Sequence, residues 1–144
     1  MKLMVINGVN LNMIGIREPE IYGDITYDYL CDYVKNSTSC DLEFVQSNHE
    51  GDIVDAVHRA HFENFDGIII NPGAFTHYSY AIYDALKSVK VPTIEVHISN
   101  IHNRETFRQT SVTAKACVGQ MSGFGIAGYV YAIHAIKDIV KSKI

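Results

Sequence analysis

Wherever an apolar run of this chain ends, side chains suited to proton transfer or anion binding take over. One run gives way to Gln46-Ser47-Asn48-His49-Glu50-Gly51, a second to Asn71-Pro72-Gly73-Ala74-Phe75-Thr76-His77, and a third to His97-Ile98-Ser99-Asn100-Ile101-His102. After the first run, the stretch from Asn7 to Asp24 holds Asn10, Arg17 and Tyr22. It is well above the usual connection of about 4–6 residues, which favours a functional loop. Three of the four arginines, Arg17, Arg104 and Arg108, fall in or just after these segments. Arg104 and Arg108 are spaced i, i+4, so a helical turn would aim both guanidinium groups the same way. Tyr, His, Arg, Asn and Ser together suit proton transfer on a small polar, anionic molecule.

Each piece alone has a plainer reading. Asn and Gly after a strand usually form turns, because both tolerate left-handed backbone angles. Arg104, Glu105 and Arg108 by themselves would be a solvated, salt-bridged turn, and Tyr22, one of nine tyrosines, would simply pack. His49, His58, His61 and His134 fit helix faces or surface. His77, His97 and His102 follow strands, but without H-E-x-x-H or similar spacing, so no metal site is expected.

Absences narrow the chemistry further. There is no P-loop, and no G-x-G-x-x-G follows the first strand. Gly123-Phe124-Gly125-Ile126-Ala127-Gly128 comes after the last strand instead, where small residues allow close helix packing. No acidic cluster ends the first strand to hold magnesium, and no lysine lies in a strand-end loop to form a Schiff base. A net charge of -4 gives no footprint for a nucleic-acid backbone or an anionic membrane surface. Cys31, Cys40 and Cys117, odd in number and widely spaced, read as reduced thiols in a cytoplasmic setting. Residues 1–7 lack a secretory pattern, and no apolar stretch approaches the roughly 20 residues a bilayer demands.

The scaffold that must hold these segments is an alternation of strands and helices. Leu3–Ile6, Leu42–Val45, Ile68–Ile70, Thr93–Ile98 around Glu95 and His97, and Ala116–Val118 are short apolar runs without alternation, read as strands buried on both faces. Between them, Tyr27, Leu30, Cys31 and Val34 have helical spacing, as do Ile53, Ala56, Val57 and Ala60, and Ile82, Ala85, Leu86 and Val89. A longer amphipathic helix from Ile126 to Val140 closes the chain with Lys137, Lys141 and Lys143, a charge suited to a helix C-terminus. The 144 residues fit a single domain, 1–144. Five parallel strands with interleaved helices imply an α/β three-layer, flavodoxin-like sandwich with strand order 2-1-3-4-5. Ligands of such sheets sit beyond the carboxyl ends of the strands, where strand order reverses.

Taken together and in order, several strings resemble type II 3-dehydroquinate dehydratase over essentially the whole chain. They are Asn10-Leu11-Asn12 with Gly15, Arg17-Glu18-Pro19, Tyr22-Gly23, the Gln46–Gly51 and Asn71–His77 segments, and Glu95-Val96-His97-Ile98-Ser99-Asn100 through Arg104-Glu105 and Phe107-Arg108. Val9 stands where the family usually has Pro, and Tyr83 where it often has Arg. The resemblance implies a catalytic domain that converts 3-dehydroquinate to 3-dehydroshikimate by anti elimination through an enolate, with no metal or organic cofactor, on the shikimate pathway. By carry-over Tyr22 is the general base with Arg17 favouring its anion. His97 is the general acid with Glu95 as its partner, and Asn10 holds a water at the enolate oxygen. Asn71 and the backbone N–H groups of Ile98 and Ser99 grip the carboxylate, His77 and Arg108 hold ring hydroxyls, and Arg104 closes with the loop. The same resemblance implies a homo-oligomer, a dodecamer built of trimers, with Asp84 reaching a neighbouring subunit's site.

Overall fold

A parallel strand must be covered on both faces, and the alternation of buried residues along the central strands does this. In the computed structural model, which describes residues 1–16, 18–22 and 24–142 apart from the Tyr22 side chain, five strands form one sheet. They are β1 (Lys2–Asn7), β2 (Asp41–Gln46), β3 (Gly67–Asn71), β4 (Thr93–His97) and β5 (Gly119–Ser122). All pairs are parallel and the order is β2-β1-β3-β4-β5. The helices are α1 (Pro19–Tyr22), α2 (Tyr27–Asn36), α3 (Glu50–Phe62), α4 (Tyr80–Ser88) and α5 (Ala127–Ser142). Leu3, Val5, Ile69, Ile94 and Val96 turn to one face, against Leu30 and Val34 of α2 and Tyr129, Ile133 and Ile136 of α5. Met4, Ile6, Ile68 and Ile70 turn to the other, against Ile53 and Val57 of α3 and Ile82 and Leu86 of α4. The result is the three-layer, flavodoxin-like sandwich expected from the periodicity. No described helix is long and apolar enough to cross a membrane.

Caps fix where two of these helices begin. Thr26 Oγ1 accepts from Tyr29 N at 3.1 Å at the start of α2, and Ser79 Oγ accepts from Ile82 N at 3.1 Å at the start of α4, each satisfying an amide the helix leaves open.

The fifth strand differs from its expected position. It lies at Gly119–Ser122, just beyond the apolar run Ala116–Val118 that marked it in the sequence. Ala114–Ala116 forms a 3₁₀ turn instead, and Ala116 and Cys117 pack onto the α3/α4 face. An edge strand that is only partly buried does not need a continuous apolar run. β5 uses the freedom to place polar Gln120 beside Glu95 and Ser122 beside His97.

Strand order reverses between β1 and β3, and there the backbone closes tightly. The Gly8 amide donates to the Asn71 carbonyl at 2.7 Å, and a Cβ on Gly8 would stand 2.1 Å from the Pro72 carbonyl oxygen. Gly73, at φ +64, approaches Val9 in the same way, with a Cβ placed 2.6 Å from the Val9 carbonyl. Only glycine lets these two strand ends meet.

Candidate active site

The close approach of β1 and β3 forms the floor of an open cleft with about 550 Å³ of empty space. Asn10 follows β1, Asn71 ends β3, His77 closes the 3₁₀ turn after it, and His97, Ile98 and Ser99 come from the end of β4. All six line the cleft, with Arg104 and Arg108 beyond them. Leu11, Ile14 and Ile101 supply apolar wall. Asn10 holds a left-handed backbone, φ 67, and its amide donates to Asn48 Oδ1 at 2.9 Å, which pins the start of the loop. Asp84 is exposed on α4 and is not part of this lining. Arg17 and the Tyr22 side chain lie outside the described residues; the Tyr22 backbone ends α1.

Two residues apart on β4, Glu95 and His97 point to the same side of the sheet. Glu95 is fully buried, and its Oε1 stands 2.7 Å from Nε2 of His97, itself only 6% exposed. A bond through Nε2 fixes the ring's orientation and leaves Nδ1 for a ligand in the cleft that His97 lines. The carboxylate also accepts from Thr76 Oγ1 at 2.8 Å, Ser111 Oγ at 2.7 Å, Gln120 Nε2 at 3.0 Å and the hydroxyl of Thr113. Burial alone would raise this carboxyl. The His97 hydrogen bond and charge, then the Thr113 and Ser111 hydroxyls, outweigh it and bring the pKa down from the ordinary 4.5 to about 2.

That depression has a consequence for stability. A carboxyl held below its unfolded value contributes stability that is fully present above about pH 4.5 and is lost as pH falls toward 2. Glu95→Gln, which sets an amide NH₂ among donors, is therefore expected to be less stable than wild type at neutral pH. It should also lose less stability than wild type on acidification through that window, read from urea midpoints. Parallel stability curves for the two proteins would contradict the caged anion.

His77 is held from the other side. Its Nδ1–H donates to the Thr110 carbonyl at 2.9 Å, and burial more than offsets that bond to push the imidazole below its ordinary pKa. Phe107 meets the His77 ring edge-on at 6.1 Å and carries the Arg108 guanidinium over its face at 4.7 Å. Arg104 and Arg108 do not share a helical turn as their spacing had suggested. Arg104 is extended, φ -129 and ψ -165, between two 3₁₀ turns. They converge through Glu105 instead, with Arg108 Nε at 2.9 Å and Arg104 Nε at 3.8 Å from Oε2. Arg104 also reaches Ser99 Oγ and Glu18 Oε2, each at 3.4 Å, and so connects β4 to the loop after β1.

The model of the family described as Dehydroquinase class II matches residues 1–137 of this chain. The chain belongs to the class II dehydroquinase family. It is 58% identical to a 3-dehydroquinate dehydratase of Clostridium perfringens (strain 13 / Type A), over 99% of this chain and 100% of that relative. A 3-dehydroquinate dehydratase of Thermotoga neapolitana is 55% identical, over 96% of each. The crystal structure of type II dehydroquinase from Butyrivibrio crossotus DSM 2876 superposes with a TM-score of 0.93 at 52% identity, covering 95% of this chain and 97% of that one.

The class II dehydroquinase chain also holds polar residues that sequence reasoning passed over. Thr76, Ser111, Thr113 and Gln120 build the cage around Glu95 from three separate segments, Ser111 and Thr113 sharing one loop. Only the i, i+2 spacing of Ser111 and Thr113 hinted at a shared target. Among the described residues, no group of three His, Cys, Asp or Glu is gathered as a metal would need.

Proposed function

We propose that the cleft eliminates water reversibly from 3-dehydroquinate to give 3-dehydroshikimate, the dehydratase reaction its relatives are named for. One observation carries this reading. A caged His97–Glu95 pair, an asparagine and two arginines converge on one cleft of a class II dehydroquinase chain. Tyr22 takes the proton α to the ketone. A phenol of ordinary pKa about 10 can do so at neutral pH only if a cation favours its anion, and Arg17 is that cation. The C–H electron pair becomes an enolate, whose oxygen meets a water held by Asn10. The enolate collapses to the conjugated alkene as the hydroxyl leaves from the opposite face with a proton from His97, whose ring Glu95 holds in place.

Asn71 with the backbone N–H groups of Ile98 and Ser99 grips the substrate carboxylate, and His77 and Arg108 hold the ring hydroxyls. Arg104, already in contact with Glu18 of the loop, closes that loop over the substrate. The reaction uses no metal or organic cofactor. It runs in the cytoplasm, in the shikimate route to aromatic amino acids, and trimers assemble into a dodecamer in which Asp84 reaches a neighbouring site.

Arg108→Ala is expected to raise KM about tenfold with kcat little changed, because it removes binding that ground and transition states share. An unchanged KM in steady-state assays would take Arg108 off the binding list. The reading itself is tested by incubating the protein with 3-dehydroquinate and following the ultraviolet absorbance of the conjugated enone. Turnover that survives both a chelator and borohydride is expected. Loss with the chelator would point to a metal, loss with borohydride to a lysine Schiff base, and no turnover by folded protein would overturn the dehydratase.

A further inference from the structure

Tyr129 is fully buried in α5, yet its hydroxyl stands directly behind the cleft, between the paired ends of β1 and β3. The groups around it can be oriented without ambiguity, starting from a backbone amide. Gly73 N–H can only donate, and it donates to Oδ1 of Asn71 at 3.1 Å, so the oxygen end of that amide is fixed. Its nitrogen end, Nδ2, lies 2.9 Å from the Tyr129 hydroxyl. An amide nitrogen offers no lone pair, so the tyrosine oxygen accepts and its single proton must go elsewhere. It goes to Oδ1 of Asn7 at 2.6 Å. Asn7 is thereby turned to offer its own Nδ2 to the Tyr27 hydroxyl at 3.4 Å. Burial pushes the Tyr129 phenol far above its ordinary pKa, so the proton stays in place.

Asn71 is the one side chain of this hydrogen-bonded network that lines the cleft, beside the Gly73 backbone. With one amide hydrogen spent on Tyr129, the second is what it has to offer a ligand. We infer that Tyr129 is a positioning residue, whose hydroxyl, with the Gly73 amide at the other end, locks the Asn71 amide with a donor toward the cleft and so selects an anionic or carbonyl oxygen there. The inference rests on the proposed function, under which that oxygen belongs to the substrate carboxylate. Tyr129 touches no ligand itself; it acts through Asn71. Asn7, Tyr27 and Tyr129 together build a polar plug at the switch point in place of an apolar core, a cost that makes sense if one amide must be held one way round.

The test is steady-state kinetics on Tyr129→Phe, Asn71→Ala and the double variant, with each fold checked by circular dichroism. Tyr129→Phe keeps the ring and removes only the hydroxyl. It is expected to raise KM about tenfold with kcat within about twofold, the split of a lost binding contact. In the Asn71→Ala background the same change should add less than about twofold to KM, because residues acting as one unit are not additive. A merely structural role would lower stability without this split and without the non-additivity. If Tyr129→Phe does not fold, Asn7→Leu carries the test, since it removes the acceptor that orients the same hydroxyl, and the same split is expected. An unchanged KM in the folded variant, or KM effects that multiply in the double variant, would overturn the inference while wild-type turnover leaves the dehydratase standing. Absence of wild-type turnover would overturn both.

Discussion

Replacing His97 with alanine is expected to lower kcat by about 10²- to 10⁴-fold, the range a positioned general acid or base contributes, with KM nearly unchanged. The split follows from where the ring acts. In the proposed reaction its proton matters when the carbon–oxygen bond breaks and not while the substrate docks, so the loss falls on the transition state alone. The structure supports the assignment through what surrounds the ring. Five polar side chains converge on the Glu95 carboxylate, and only His97 among them lines the cleft. A buried anion held that firmly is costly to assemble, and here its hydrogen bond to Nε2 of His97 carries it to the cleft. Full activity in His97→Ala would mean that another group delivers the proton.

Tyr22→Phe is the second large effect expected, again about 10²- to 10⁴-fold in kcat. The substitution keeps the ring's shape and apolar surface and removes only the oxygen that would carry the proton away. Binding should therefore hold. Measured kcat and KM decide the matter together. A fall in kcat with stable KM supports Tyr22 as the base, whereas a wild-type kcat contradicts it.

Much of the scaffold was legible in the sequence because burial on both faces leaves a plain mark. The apolar runs in β1, β3 and β4 and the helical spacing in α2 to α5 follow from covering a parallel sheet twice, whereas β2, the other edge strand, is only partly buried and still carries Leu42, Phe44 and Val45. β5 was displaced because an edge strand escapes that demand; Gly119-Gln120-Met121-Ser122 carries no apolar run to find. The strand-end segments were legible as a site for a topological reason, since their residues gather wherever strands end at a switch point. Which side chains act as a unit was less so. Arg104 and Arg108 meet through Glu105 across an extended residue, and spacing alone suggested a helical turn. The Glu95 cage and the Tyr129 plug join segments far apart in the chain, and only register and packing bring such groups together.

In the proposed reaction hydrogen and hydroxyl leave from opposite faces of the ring, the first taken by Tyr22 and the second helped away by His97. Stereospecifically labelled substrate tests it most directly. 3-Dehydroquinate carrying deuterium on the face opposite the leaving hydroxyl, at the carbon α to the ketone, is turned over and the product is weighed by mass spectrometry. 3-Dehydroshikimate free of deuterium is expected from this substrate, and full retention of the label from its epimer. Retention of the first label and loss of the second would mean a syn elimination, and would contradict the assignment of Tyr22 and His97 to opposite sides of the substrate.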